Sequence, residues 1–327
     1  MPAEWAPHER TLMAWPCRLE LWGDQLDRAK EQYAGVANAI AAFEPLTMIC
    51  AGPRDAAEAR AALTAAVEVV ELAIDDSWLR DNGPIFVVDG NGGRAGVHFG
   101  FNAWGGRFTP WDSDEAAGGV LADRHADRTY DAPFVLEGGS IAVDGEGALI
   151  TTEQCLLNPN RNPDLEREQI EEGLRQYLGV ASVVWLGQGL VEDRDTDGHV
   201  DLIAAFTRPG EVLLQTVAEG EPSHERMADN RARLVAAGLD VVDFPILPSV
   251  AVAGEQTAVS HLNFYLCNGA AIVPVAGVGS DAEALERIAA AYPDHEVVGV
   301  PAEVVAYGGG GPHCITQQVP VSSRAPR

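Results

Sequence analysis

Apolar positions recur at three- and four-residue steps in five stretches of the chain, which predicts amphipathic helices over about residues 25–43, 55–66, 164–178, 223–237 and 281–292. In the first stretch Leu26, Tyr33, Val36, Ile40 and Phe43 share a face, and Pro45 stops it. Asn162 before Pro163 reads as an N-cap followed by proline at the first helical position. Ser280 with Glu283 reads as a capping box, and Gly179 and Gly238 stand where helix ends favour a left-handed residue.

Between the helices, short apolar or alternating runs flank a tight-turn dipeptide four times. Ile85–Val88 meets Asp89-Gly90, Ile141–Val143 meets Asp144-Gly145, Leu202–Phe206 meets Pro209-Gly210, and Phe264–Cys267 meets Asn268-Gly269. The last three hairpins are followed by a helix and a further strand: Val183–Leu186, Val241–Phe244 and Glu296–Val300. A unit of about 60 residues therefore repeats, and five such units fill the chain. One unit alone cannot bury its apolar face, so the expected architecture is a single α/β domain over residues 1–327, a five-module propeller with pseudo-fivefold symmetry.

The repeat also locates candidate chemistry. Asp81, Glu137, Asp201 and His261 each precede their turn glycine by eight or nine residues. Equivalent positions in related modules point to one end of a ring, which brings Asp81, Glu137, His199, Asp201 and the segment around Cys314 together.

Composition narrows the ligand. Of 327 residues, 49 are Asp or Glu and 22 are Lys or Arg, a net charge of −27 that opposes nucleic-acid binding and suits a small cation. No run approaches a membrane span and the start lacks a signal-peptide pattern, so a cytoplasmic location is expected. Cys17, Cys50, Cys155, Cys267 and Cys314 are odd in number and scattered, which argues against a disulfide framework or a structural zinc site.

Cys314 alone follows a four-glycine run, Gly308 to Gly311, where a ligand can approach the backbone closely. A thiol in that setting is a candidate nucleophile, which needs its thiolate form. His199 and Asp201, two apart, share a face if extended and form a candidate acid/base pair. A metal site of Asp197, His199 and Asp201 is the competing reading of that stretch. His313 is the poorer base candidate, because neighbours on a strand point to opposite faces. Three carboxylates around a cysteine and a histidine repel one another unless a cation sits between them, and a planar guanidinium is the cation that carboxylates hold with paired hydrogen bonds. The set implies attack on a guanidinium carbon.

The chain resembles the agmatine deiminases of the Porphyromonas-type peptidylarginine deiminase family, guanidine-modifying enzymes with the pentein fold. Carrying the resemblance are Trp5-Ala6-Pro7-His8-Glu9, Met13-Ala14-Trp15-Pro16, Trp78-Leu79-Arg80-Asp81-Asn82-Gly83-Pro84, Phe101-Asn102-Ala103-Trp104-Gly105-Gly106, Glu137-Gly138-Gly139-Ser140, Asn160-Arg161-Asn162-Pro163, Gly198-His199-Val200-Asp201 and Gly310-Gly311-Pro312-His313-Cys314. It implies Cys314 as nucleophile, His199 as acid/base, Asp81 and Asp201 as guanidinium clamps, and Glu137 as a further clamp that positions His199. Trp78, Asp195, Gly309 and Gly310 would contact substrate, with no metal or organic cofactor and with a homodimer as a candidate assembly. Two departures stand out: Gly311-Pro312 replaces the family's Asn-Ile, and Asp195 replaces a Glu four residues before the histidine. Another guanidino compound as substrate, amidino transfer to an amine, and a non-catalytic binding propeller are the alternative readings.

Overall fold

Among the described residues, five of the six sheets repeat one strand order, and that repetition positions the site. The computed structural model describes residues 1–322. Ile85–Val88 pairs antiparallel with Arg94–Gly100, which pairs parallel with Arg128–Val135. The same antiparallel-then-parallel order holds for Ile141–Val143, Ala148–Thr152 and Ser182–Leu186, for Ala204–Arg208, Glu211–Gln215 and Asp240–Phe244, and for Tyr265–Cys267, Ala270–Val275 and Glu296–Pro301. In the fifth sheet the antiparallel partners come from distant sequence: Thr316–Pro320 lies on His8–Ala14, which continues in parallel to Leu46–Cys50 and Glu68–Glu71. These ladders are separate, and no sheet closes on itself among the described residues. A two-stranded hairpin, Ser249–Val252 with Glu255–Ala258, was not expected from the sequence.

All four predicted hairpins form. Gly145, Gly210 and Gly269 take the positive φ that their turns require, whereas in the first hairpin that role passes from Gly90 to Gly92. There the Asp89 carboxylate accepts from the backbone N–H of Asn91 and of Gly93 and widens the turn.

Helices Leu26–Ile40, Pro53–Ala62, Arg167–Leu178, His224–Ala236 and Asp281–Ala291 match the five predicted stretches. Each lays an apolar stripe on a sheet; the first buries Tyr33, Val36, Ala37 and Ile40, and burying a large apolar side chain is worth about 1.5–3 kcal/mol. Two cap assignments are corrected. Asn162 does not start a helix: its side chain pairs with both backbone groups of Val135, and Glu166 caps instead, in a capping box with Gln169. Ser280 does stand at the N-cap, but its side chain makes no capping bond.

A further long helix, Asp112–His125, escaped the periodicity because Gly118 and Gly119 interrupt it. Gly118 is needed there: a Cβ would stand 2.8 Å from the Asn82 carbonyl oxygen and 3.0 Å from the His98 ring. No helix among the described residues is long and apolar enough to cross a membrane.

Candidate active site

Each repeated sheet contributes a polar residue from the segment just ahead of its first strand. Asp81 sits in the short helix Leu79–Asn82, Glu137 directly before the 3-10 turn Gly138–Ser140, and His199 and Asp201 at the 3-10 turn Val200–Leu202. Cys314 precedes Thr316–Pro320. The fourth sheet supplies Asn263 from the same place. His261, the residue at the repeat spacing, is turned to Asp281 at 2.8 Å and serves the packing of that sheet.

Cys314 is buried. Its thiol lies 3.2 Å from Asp201 Oδ2, and the Asn263 side-chain amide donates to Sγ at 3.2 Å while its oxygen accepts from the Cys314 N–H at 3.3 Å. Burial, then the negative charges of Asp201 and Asp81, push this thiol well above its ordinary pKa. Gly310 is forced by close approach, since a Cβ there would stand 2.7 Å from Trp78 and 2.8 Å from Sγ.

Asp81 accepts from the Gly139 N–H at 2.9 Å and from Trp104 Nε1 at 3.0 Å. Burial raises its carboxyl to about 6; the nearby His199 works against that and the Asp201 and Glu137 charges add to it. Asp201 stays below the usual carboxylate range although burial opposes this, because His313 donates to it at 2.8 Å and carries positive charge. The other nitrogen of His313 meets Glu4 at 2.7 Å, and its neighbours Glu4 and Asp201 hold His313 above the ordinary histidine value against burial. His313 thus reaches the site through Asp201, from a turn rather than from a strand.

His199 is fully buried, with Nδ1 3.8 Å from Asp81 Oδ2. Gly139 packs against this group so closely that a Cβ would stand 2.6 Å from His199 Nδ1, 2.8 Å from Asp201 Oδ2 and 2.9 Å from Asp81 Oδ1. Both ring nitrogens of His199, Glu137 Oε2 and Asp201 Oδ1 are buried and have no hydrogen-bond partner among the described residues. Buried polar atoms are rarely left so, and a cluster of them marks where a ligand rich in N–H donors completes the bonding.

Arg161 locks this arrangement from behind. Its Nε meets Glu137 Oε1 at 2.5 Å, its Nη1 meets Asp197 Oδ2 at 2.8 Å, and its Nη2 reaches the Thr196 carbonyl. Asp197 is further held by Arg107 and Asn160. The metal reading of Asp197, His199 and Asp201 is therefore not assembled. The residues able to share an ion among those described are instead Glu137, Cys155 and His199, whose ligand atoms lie within 4.8 Å of one another.

A narrow cavity reaches Cys314, lined by Trp78, Asp81, Trp104, Phe108, Asp195 and Thr196. The roomier groove lies outside it and shares Asp195. Asp195 is half-buried, and burial together with Asp193 raises its carboxyl. Asp193 shapes the loop by accepting from Thr196 and Gly198. Trp78 and Asp195 therefore line the cavity, where the glycine of the run is Gly308; Gly310 packs behind against Trp78 and Cys314, and Gly309 borders the outer groove.

A family model described as Porphyromonas-type peptidyl-arginine deiminase matches residues 1–320. An agmatine deiminase of Stutzerimonas stutzeri is 46% identical, with 98% of this chain and 95% of that protein covered. The structure is similar to that of the agmatine deiminase of Enterococcus faecalis, at a TM-score of 0.92 and 36% identity, covering 98% of this chain and 95% of the other. A cyanobacterial arginine dihydrolase shares the fold at a TM-score of 0.57 and 16% identity, covering 97% of this chain and 40% of that one.

Proposed function

The chain belongs to the Porphyromonas-type peptidyl-arginine deiminase family, and on that premise we propose that it hydrolyses agmatine to N-carbamoylputrescine and ammonia through a covalent intermediate on Cys314. The observation that carries this reading is the group of unpartnered acceptors around a buried thiol, Glu137 Oε2, Asp201 Oδ1 and the His199 ring. A guanidinium brings five N–H donors and a positive charge to them. We place the five repeated sheets about a pseudo-fivefold axis within one domain, so that the loops ahead of their first strands meet at the substrate.

The free protein keeps Cys314 as a thiol, because its surroundings are buried and negative. A bound guanidinium reverses the sign of that field and favours the thiolate. His199 takes up the thiol proton as the sulfur attacks the guanidinium carbon, and it passes that proton to the departing nitrogen as the terminal C–N bond breaks and ammonia leaves. His199 then takes a proton from water, whose oxygen attacks the same carbon; the C–S bond breaks, the new hydroxyl's proton returns to the sulfur, His199 gives its proton up to solvent, and N-carbamoylputrescine departs. Splitting one displacement into two lowers each barrier. Asp81, Asp201 and Glu137 hold the cation, and Arg161 keeps Glu137 aimed.

Asp81 gives the reaction a pH limb. The carboxyl must be ionised to grip a cation, and its value of about 6 lies above that of an exposed aspartate. The grip is therefore present above about pH 6 and lost as pH falls through it. We expect kcat/KM for agmatine to drop toward a tenfold loss per pH unit on the acid side. A flat profile from pH 7 down to 5 would show that Asp81 does not titrate against substrate.

Asp195, at the outer end of the cavity, meets the primary amine of agmatine. Its side chain is a methylene shorter than the family's glutamate, so a water or a shifted loop bridges the difference. Asp195→Asn is expected to raise KM for agmatine about tenfold more than for a guanidinoalkane that lacks the amine. Equal effects on the two compounds would remove Asp195 from amine recognition. The experiment that tests the reaction itself is an acid quench during turnover: the Cys314 peptide should gain the mass of agmatine less ammonia.

A further inference from the structure

Arg18 lies outside the cavity, is 5% exposed, and joins two segments that both line it. Its Nε pairs with Asp76 Oδ2 at 2.9 Å, and Asp76 is 1% exposed. Asp76 begins the segment that carries Trp78 and Asp81, and its carboxylate also accepts from the Ser77 N–H at 2.8 Å. On the other side the same guanidinium donates to the backbone carbonyls of Thr109 at 3.2 Å and Pro110 at 2.6 Å, and lies 5.8 Å from the centre of the Phe108 ring. Phe108 stands edge-on to Trp104 at 5.8 Å, and both rings line the cavity together with Trp78.

The near end of the loop so held is tied elsewhere, by Asn102 to the Asn160 carbonyl and by Arg107 to Asp197, whereas its Phe108–Pro110 stretch is tied by Arg18. Ala103 and Trp104 adopt positive φ, a conformation that non-glycine residues keep only when their surroundings impose it. Trp104 is fixed by its bond to Asp81, and Phe108, half-buried, is steadied through Arg18. The planar fork of an arginine suits this double task, because its donors point in fixed directions and its face can lie on a ring; a lysine can do neither.

We infer that Arg18 is a positioning residue that sets the gap between Trp78 and the Trp104–Phe108 wall, and through it the alkyl chain that the cavity accepts. The inference rests on the deiminase reading above. Arg18 touches neither the cation seat nor Cys314; its effect falls on the part of the substrate between guanidinium and amine.

The test compares wild type with Arg18→Lys on two probes. One is agmatine, followed as ammonia release along with its homologues one methylene shorter and longer. The other is chloroacetamidine, a small cation that fills the guanidinium seat only and alkylates Cys314. KM for agmatine should rise about tenfold or more and the preference among the three chain lengths should flatten, with the alkylation rate changed less than about twofold. Phe108→Ala should reproduce the flattened preference, and adding Arg18→Lys to it should cause little further change. Parallel loss on both probes, or an unchanged chain-length preference, would overturn the inference. If Arg18→Lys does not fold, judged by thermal unfolding, Asp76→Asn loosens the same tie from its other end and is held to the same outcomes. Wild-type protein that does not turn over agmatine would overturn the deiminase reading, a separate failure.

Discussion

Cys314→Ser is expected to abolish ammonia release from agmatine, a loss of at least about ten-thousandfold in kcat, while the protein stays folded. The two halves of this expectation have separate grounds. A hydroxyl can keep the contacts that the thiol makes with Asp201 and Asn263, so the buried polar group remains satisfied and the thermal midpoint should hardly move. It cannot supply the nucleophile, because the same carboxylates that push the Cys314 thiol upward act on an alcohol whose pKa starts far higher. His199→Ala should also fail to turn over, and any surviving first stage should accumulate the amidino adduct on Cys314. Near-normal ammonia release by Cys314→Ser would remove covalent catalysis from the account.

The second large effect is expected from the clamps. Asp81→Asn and Asp201→Asn should each cost about 3 kcal/mol or more in kcat/KM, over a hundredfold, because each leaves a desolvated guanidinium short of a charge partner. For Asp81 there is an added penalty: both carboxylate oxygens already receive N–H donors, from Gly139 and Trp104, so an amide must set a donor against a donor. Stability should respond differently. The folded pKa of Asp81 lies above its unfolded value, so the protonated form is favoured on folding, and stability through this group is lost as pH rises toward and through about 6. At pH 7 Asp81→Asn removes an unfavourable buried charge but sets its amide against the Gly139 or Trp104 N–H, and because the two effects oppose each other the thermal midpoint should move by only a few degrees. Full kcat/KM in either variant would place these carboxylates outside the substrate's reach.

The site was legible in the sequence to the extent that it followed the repeat. Asp81, Glu137 and Asp201 precede similar hairpins at similar offsets, and the ladders bring those loops together around Cys314. Residues that act through another residue left no such trace. Arg161 reaches Glu137 from another segment. Asn263 does stand ahead of the fourth hairpin, but six residues before its turn glycine rather than eight or nine, so the offset pointed to His261 instead. His261 matched the offset and yet turns to Asp281, because the offset fixes a place in the loop and the local turn fixes where the side chain goes. At the level of the fold, amphipathic spacing found the five helices whose burial is one-sided. It missed Asp112–His125, whose glycines exist to let Asn82 and His98 approach. The Asn162 cap failed for a related reason: a polar residue before proline suits a helix start, but the backbone of Val135 offered it both a donor and an acceptor.

The claim that this chain is built to deiminate agmatine is tested most directly by one assay on the wild-type protein. Ammonia release is followed with agmatine, arginine and a peptidyl-arginine at matched concentrations, and the organic product is identified by mass. An acidic protein with Asp195 at the outer end of its cavity should favour the amine-bearing substrate and repel an α-carboxylate. The account predicts fastest release from agmatine, with N-carbamoylputrescine formed in equal amount. Faster release from arginine or from the peptide, or none from agmatine, would contradict it.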